Sequence, residues 1–305
     1  MTTREIPTET LTLTAAAPAA PRRRRRHPHR WLALAAIALI CCGFLLPFFW
    51  MFSTSLKTVD QTMVDPPRLI PHPAAPENFW KVITSNRADF PLYTRNTLLI
   101  AALSVLGTTL SSAVVAYGFA KIRFKGRGFL FVLMLSTMMI PFPVMMLPLF
   151  IVFRFIGDHT PLQMLGTFRP LWLPTWFGSA FSIFLLRQFF LTIPDDLSEA
   201  ARIDGCTEWG IFWRIVLPLS RPALAVVALF SFMWAWNNFL GPLLYLQRPQ
   251  QYTLALGLQA FQSAQGGTDW NLLMAASMLV MLPVILLFFV AQKTFIQGIA
   301  TTGLK

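Results

Sequence analysis

Charge is scarce in this 305-residue chain: Asp, Glu, Lys and Arg make up 12% of it, against 55% apolar residues and a mean hydropathy of +0.57. A soluble globule carries about 25% charged residues, so composition excludes one. Cysteine is scarce too. Cys41 and Cys42 are neighbours inside an apolar run and Cys206 falls in a charged segment, which excludes a disulfide framework and a closed metal site. No G-x-x-x-x-G-K-[ST] loop occurs and no lysine directly follows a glycine, so a phosphate cradle of that kind is missing. An H-E-x-x-H pair, a nucleophile elbow and an acid pair within an apolar run are missing as well. The chain is expected to be no enzyme and to hold no cofactor or metal of its own.

What the chain does have is apolar length. Six segments, at about 31–52, 94–120, 129–153, 171–191, 223–246 and 272–292, are each long enough to span a bilayer. The first, from Trp31 to Phe52, would make roughly 33 Å of helix, longer than the apolar core of a secretory signal. Phe and Trp are abundant, 28 and 10, and many sit at the ends of such runs, where amphipathic rings favour the membrane interface, while others serve ordinary packing. These features predict an all-α membrane protein of six transmembrane helices. Pro141, Pro143 and Pro148 in the third segment predict that this helix is not straight, either for gating or simply for packing.

The net charge of +12 is unevenly spread, which argues for a membrane surface rather than nucleic acid. Residues 1–30 read as a disordered cytoplasmic tail in which Arg22 to Arg26, His27 and Arg30 abut the first apolar run and anchor it on the inner side. With the N-terminus inside, most Lys and Arg fall in cytoplasmic segments, leaving Lys57, Arg68, Lys81, Arg87, Arg95, Arg154, Arg169 and Arg248 outside. Both termini are then cytoplasmic.

One cytoplasmic segment, 194–222, is long, charged on both signs and patterned. Pro194, Asp195 and Asp196 open a short helix, where acids complement the positive end of the macrodipole. Leu197, Ala200, Ala201 and Asp204 recur at spacings of three and four and predict one small, flat face. Gly205 can end that helix in left-handed geometry, and Thr207 can cap a second helix running to about Val216, before Pro218 stops it. The product is a helix-turn-helix knob. Its five acids make it a poor match for an anionic lipid surface and a better one for a protein socket.

The run Glu199-Ala200-Ala201-Arg202-Ile203-Asp204-Gly205, followed by Phe212, Ile215, Leu217-Pro218 and Pro222, resembles the EAA loop of binding-protein-dependent ABC importers. Further matches resemble the carbohydrate-uptake branch of that family, in the manner of the maltose permease G-type subunit. They include Ser55-Leu56-Lys57, Glu77-Asn78-Phe79, Arg95-Asn96-Thr97, Trp236-Asn237-Asn238-Phe239 and 295–300. Cys206 departs from the alanine usual in the family, and the Arg-rich tail is an extension. The resemblance implies a domain over 31–305 that pairs with a second homologous permease, two ATPase subunits carrying ATP and Mg, and an extracytoplasmic solute-binding protein. It implies a coupling role for Glu199, Ala200, Ala201, Asp204 and Gly205. The setting would be the cell membrane of a prokaryote.

Trp234, Trp236, Asn237 and Asn238 fall in the fifth segment, where an aromatic beside amides can either hold a sugar or bond neighbouring helices. By analogy, Gln262, Ser263, Gln265, Gly266 and Gly267 are expected to reach the binding protein, and 297–305 the ATPase pair. An ion-coupled carrier is the alternative class. It calls for ionisable residues within the spans, and the first, second, third and sixth segments have apolar interiors. A permease for a non-sugar solute is the other alternative.

Overall fold

The computed structural model describes the backbone of residues 30–302 apart from residues 86 and 263–266, and the side chains of residues 31–292 within that span. The residues of the N-terminal tail, 1–29, lie outside that description. The chain divides into two compact units, one ending at Phe48 and the other beginning at Phe49. Among the described residues there is no strand.

Among the described residues, four helices are long and apolar enough to cross a bilayer: Trp31–Ser55, Phe90–Lys121, Phe142–His159 and Trp270–Gln292. The number rises to six if two bent pairs each count as one span. These pairs are Arg169–Phe190 with Asp195–Ile203, bent by 78°, and Glu208–Leu219 with Arg221–Trp236, bent by 80°.

Several expected helices are interrupted, each for a local reason. The third segment is two helices, Arg127–Ser136 and Phe142–His159. Pro141 holds the residue before it, Ile140, in extended geometry, and Pro143 sits in the first turn of the second helix, where no donor is needed. The fourth opens with the turns Arg169–Trp172 and Leu173–Phe177, breaks at Gly178 with φ of 92°, and resumes as Ala180–Phe190. The fifth ends at Trp236, turns, and restarts as Leu240–Tyr245.

The helix Phe90–Lys121 is the centre of the second unit and packs against Ala180–Phe190 and Arg221–Trp236. Its inward stripe is Ala101, Ser104, Thr108, Ser112, Ala116 and Ala120, all buried and three or four residues apart. Small side chains at that period let backbones approach, which is how helices associate without a hydrophobic drive between them. Gly107 marks the tightest approach: a Cβ there would stand 2.3 Å from the Trp176 ring. The indole of Trp176 occupies that space and donates to the Leu103 carbonyl at 3.1 Å.

Candidate functional site

The charged segment forms two helices, Asp195–Ile203 and Glu208–Leu219. Asp195 and Asp196 occupy the first turn. The first helix closes in a Schellman motif: Cys206 N–H donates to the Ala201 carbonyl at 2.9 Å and Gly205 N–H to that of Arg202 at 3.0 Å. Gly205 has φ of 82° with nothing within 4 Å of where a Cβ would stand, so glycine is required by conformation and not by space. Thr207 then caps the second helix, its Oγ1 accepting from Gly210 N–H at 3.2 Å.

Two expectations need correction. The second helix does not stop before Pro218. It widens to a π turn over Phe212–Val216, which relieves the clash of the proline ring with the preceding turn, and continues to Leu219. Nor do Leu197, Ala200, Ala201 and Asp204 share one outward face. Ala201 turns inward with Ser198 and is buried, while Leu197, Ala200, Asp204 and Ile203 face outward. Ile203 is 87% exposed and Trp209 60%, so the outer surface of this knob is more apolar than expected.

Its inner surface is a core. Ala201, Ile211, Phe212 and Val216 pack on Ala113, Ala116, Tyr117 and Ala120 at the end of the central helix. Two polar pins complete the seat. Lys121 Nζ donates to the Ile193 carbonyl and to Asp195 Oδ1, each at 2.6 Å, with its side chain only 3% exposed. Tyr117 Oη donates to Glu208 Oε2 at 2.6 Å, and Arg202 Nε donates to Glu208 Oε1 at 2.7 Å. The Lys121 contact holds the Asp195 carboxyl below the usual range, and donation from Arg202 and then Tyr117 does the same for Glu208. Glu208 in turn raises the Arg202 guanidinium. The knob is thereby tied to the central helix at both of its own helices. A cavity of about 530 Å³ remains beside the pins, reached by Glu199, Arg123 and Arg127. Sequence reading missed Tyr117 and Lys121. Their signal was a tyrosine and a lysine one turn apart closing an apolar helix that faces an acid-rich loop.

A second cavity, of about 570 Å³, opens where Gly178 interrupts the fourth segment. Trp234 lines it, and Phe181 packs edge-on to Phe230 beside it, with ring centroids 5.8 Å apart. Trp236 does not reach it. Its ring is 1% exposed, stacks on Phe232, and its Nε1 donates to the Val280 carbonyl at 3.1 Å. Asn237 donates to the Met233 carbonyl at 2.8 Å and Asn238 accepts from Gly241 N–H at 3.1 Å, so both amides finish the helix break. Of the four residues expected on one path, only Trp234 lines this cavity.

At the opposite end of the central helix, amides bond backbone carbonyls far away in sequence. Asn78 donates to Ser55 at 2.9 Å and Lys57 at 2.8 Å, and Asn96 to Gln250 and Tyr252, each at 3.0 Å. Thr97 Oγ1 accepts from Leu254 N–H at 2.9 Å. Gln262 and Gly267 are exposed near this end. Ser263, Gln265 and Gly266 lie outside the described residues, as do 303–305.

Residues 110–301 match the model of a family described as binding-protein-dependent transport system inner membrane component. The chain is 39% identical over 210 residues, 69% of itself and 72% of the relative, to the arabinooligosaccharides transport system permease AraQ of Halalkalibacterium halodurans. It is 33% identical to the trehalose/maltose transport system permease MalG of Thermococcus litoralis, covering 88% of this chain and 93% of that one. It is 34% identical to the sn-glycerol-3-phosphate transport system permease UgpE of Yersinia enterocolitica, covering 84% and 90%. In fold it is similar to a chain of a bacterial ABC transporter involved in the import of the acidic polysaccharide alginate, with a TM-score of 0.73 at 23% identity over 90% of this chain and 99% of that one. A match spanning most of the chain, joined to a helical bundle with a capped knob at one end, leads to one conclusion: the chain belongs to the family of binding-protein-dependent transport system inner membrane components, multi-pass proteins that work as non-catalytic permeases of ABC transporters.

Proposed function

We propose that this chain is one permease half of an ATP-driven importer that passes a carbohydrate from an extracytoplasmic binding protein into a prokaryotic cell. The knob at 195–219 is the element that receives motion from an ATPase subunit. In this reading six segments cross the membrane, both termini are cytoplasmic, a second homologous permease completes the pathway, and two ATPase subunits supply ATP and Mg. Carbohydrate is favoured because relatives along most of the chain are permeases for arabinooligosaccharides and for trehalose or maltose.

The observation that carries the coupling role is the double tie of the knob to the central helix, through Lys121–Asp195 and Tyr117–Glu208–Arg202. A coupling element has to move the bundle with it, so it must be stiff within itself and fixed to a helix that spans the bilayer. The Schellman turn at Gly205 provides the first property and the pins the second. The outward residues Leu197, Ala200, Ile203 and Trp209 supply a surface that a partner can bury, and Glu199 and Asp204 beside them supply charge for orientation. Ala201 supports this surface from beneath. Gln262 and Gly267, at the other end, suit contact with the binding protein.

The test is reconstitution with the partner subunits and measurement of solute uptake per ATP hydrolysed. Glu199→Lys should leave assembly and basal hydrolysis in place and reduce uptake per ATP; normal uptake would remove the coupling assignment. A phosphorylated polyol is the second reading, motivated by the glycerol-phosphate relative. A ligand screen on the cognate binding protein separates the two.

A further inference from the structure

The cavity at the Gly178 break has a lining of unusual composition for its position. Five hydroxyl residues, Thr108, Thr175, Ser179, Ser182 and Ser231, share it with the aromatic residues Phe181, Phe230 and Trp234, and no Lys, Arg, Asp or Glu contributes. Among the described residues, the side-chain hydroxyls of Thr108, Ser179 and Ser182 make no hydrogen bond. They are free to serve a guest.

Depth is the second observation. Thr108 lies thirteen residues before Lys121, and Ser231 ten residues after Arg221. At 1.5 Å per residue these are roughly 20 Å and 15 Å from the charged end, about half the thickness of a hydrocarbon core. Substrate sites of transporters lie near this depth and are formed by discontinuous helices. The backbone supplies the third observation. At Gly178 the helix stops with φ of 92°, and Ala180–Phe190 begins with no side-chain cap on its first amides. Irregular backbone at membrane depth is tolerated where it is buried in protein or lines a wet cavity, and this break lines the cavity.

We infer that this cavity is a binding station for a neutral sugar unit on the translocation path, with the Trp234 and Phe181 rings against the apolar face of the sugar and Ser182, Ser179, Thr108 and Ser231 exchanging hydrogen bonds with its hydroxyls. The volume, about 570 Å³, falls within the range of small-ligand sites. Hydroxyl side chains both donate and accept, so they can meet sugar hydroxyls in many orientations, which suits passage better than tight retention. The lining also sets the substrate class. A phosphate or uronate carboxylate here would lose water with no cation in the lining to meet it, which is unfavourable for a bare charge. Anionic sugars and polyol phosphates are therefore disfavoured at this station. The inference rests on the carbohydrate-import reading and adds a location and a charge class to it.

The test uses the assembled transporter in vesicles with its binding protein and a labelled panel of arabinotriose, maltose, sn-glycerol 3-phosphate and an alginate trisaccharide. The unaltered protein should take up at least one neutral sugar and neither anion. Trp234→Leu and Ser182→Ala should each lower uptake of that sugar by about tenfold, the scale of one lost ring or hydroxyl contact, while stimulation of ATP hydrolysis by the binding protein persists. Trp234→Tyr and Ser182→Thr, which keep ring and hydroxyl, should restore most of it. Should a variant fail to assemble, Ser231→Ala and the two conservative changes carry the same comparison. Sugar uptake unchanged in Trp234→Leu and Ser182→Ala would overturn the station while leaving the import reading in place. Uptake of an anion at the rate of the neutral sugar would overturn the charge class. Uptake of glycerol phosphate with no sugar at all would overturn the import reading itself.

Discussion

The two ends of the central helix Phe90–Lys121 are held by different chemistry. At the Lys121 end, charged side chains join the knob to the bundle: Lys121 with Asp195, and Arg202 and Tyr117 with Glu208. At the Phe90 end, besides a partly exposed Arg87–Asp269 ion pair and the Asp89 carboxylate that accepts from Leu92 N–H, neutral buried side chains bond distant backbone: Asn78 to Ser55 and Lys57, Asn96 to Gln250 and Tyr252, Thr97 to Leu254. The one cation buried there, Lys57, lies 4.3 Å over the Trp50 ring, and burial pushes its ammonium down. The contrast follows from what each end must do. Asn78 and Asn96 are themselves buried, so their amides meet little competition from water, and that end is a fixed platform. The charge pairs of the knob are partly exposed and compete with water, so they hold an element that has to bear on a partner.

The sharpest way to break this comparison is at the platform. Asn96→Ala removes two hydrogen bonds from a buried amide to the Gln250 and Tyr252 carbonyls, each worth about 0.5–1.5 kcal/mol. Thermal unfolding of the purified chain should occur several degrees lower. Unchanged melting would mean that the amides do not hold this end.

Next comes the knob. Lys121→Met removes a cation bonded to both Ile193 and Asp195, and a loss near 1.5 kcal/mol at a charge-assisted bond corresponds to about tenfold. Uptake per ATP should fall by that order, with melting changed far less than in Asn96→Ala. Equal effects on melting would erase the distinction between the ends.

Gly205→Val forces a β-branched residue to φ of 82°, a strain of about 1–3 kcal/mol, whereas Gly205→Asn tolerates that geometry. The valine variant should lose coupling severalfold and the asparagine variant little. If both behave alike, the left-handed turn is not what keeps the knob stiff.

The smallest effect is that of pH. The Asp195 and Glu208 carboxyls titrate below their ordinary range in the folded protein. Their contribution is present above the unfolded value of about 4 and is lost as pH falls through the lowered folded value. Hydrogen exchange across 195–219 should quicken as pH falls below about 4, while exchange of the Leu254 amide, held by the neutral Thr97 hydroxyl, keeps its protection through the same window. Parallel changes at both ends would argue against separate modes of attachment.

How much of this was legible beforehand depends on the range of the interaction. The Asp195–Ile203 helix, its acidic first turn and its stop at Gly205 are decided within a dozen residues, and the structure has each of them. The Pro141 break is equally local. Reading Trp236 and Trp234 alike failed because they stand two residues apart on a helix. That spacing separates them by about 200° around the axis, sending one into the core and the other to a cavity.

By itself, then, the sequence determined the solvent, the helices and the family. Apolar length, proline and glycine placement and a motif of fixed spacing all act over short distances along the chain. Only the tertiary structure decided which face each helix buries, that Ala201 looks inward, that Tyr117 and Lys121 reach acids more than seventy residues away, and that hydroxyls from three separated segments meet at Gly178. Those pairings depend on how helices cross, and in a bilayer, where every outward face is apolar, periodicity says little about which face finds a neighbour.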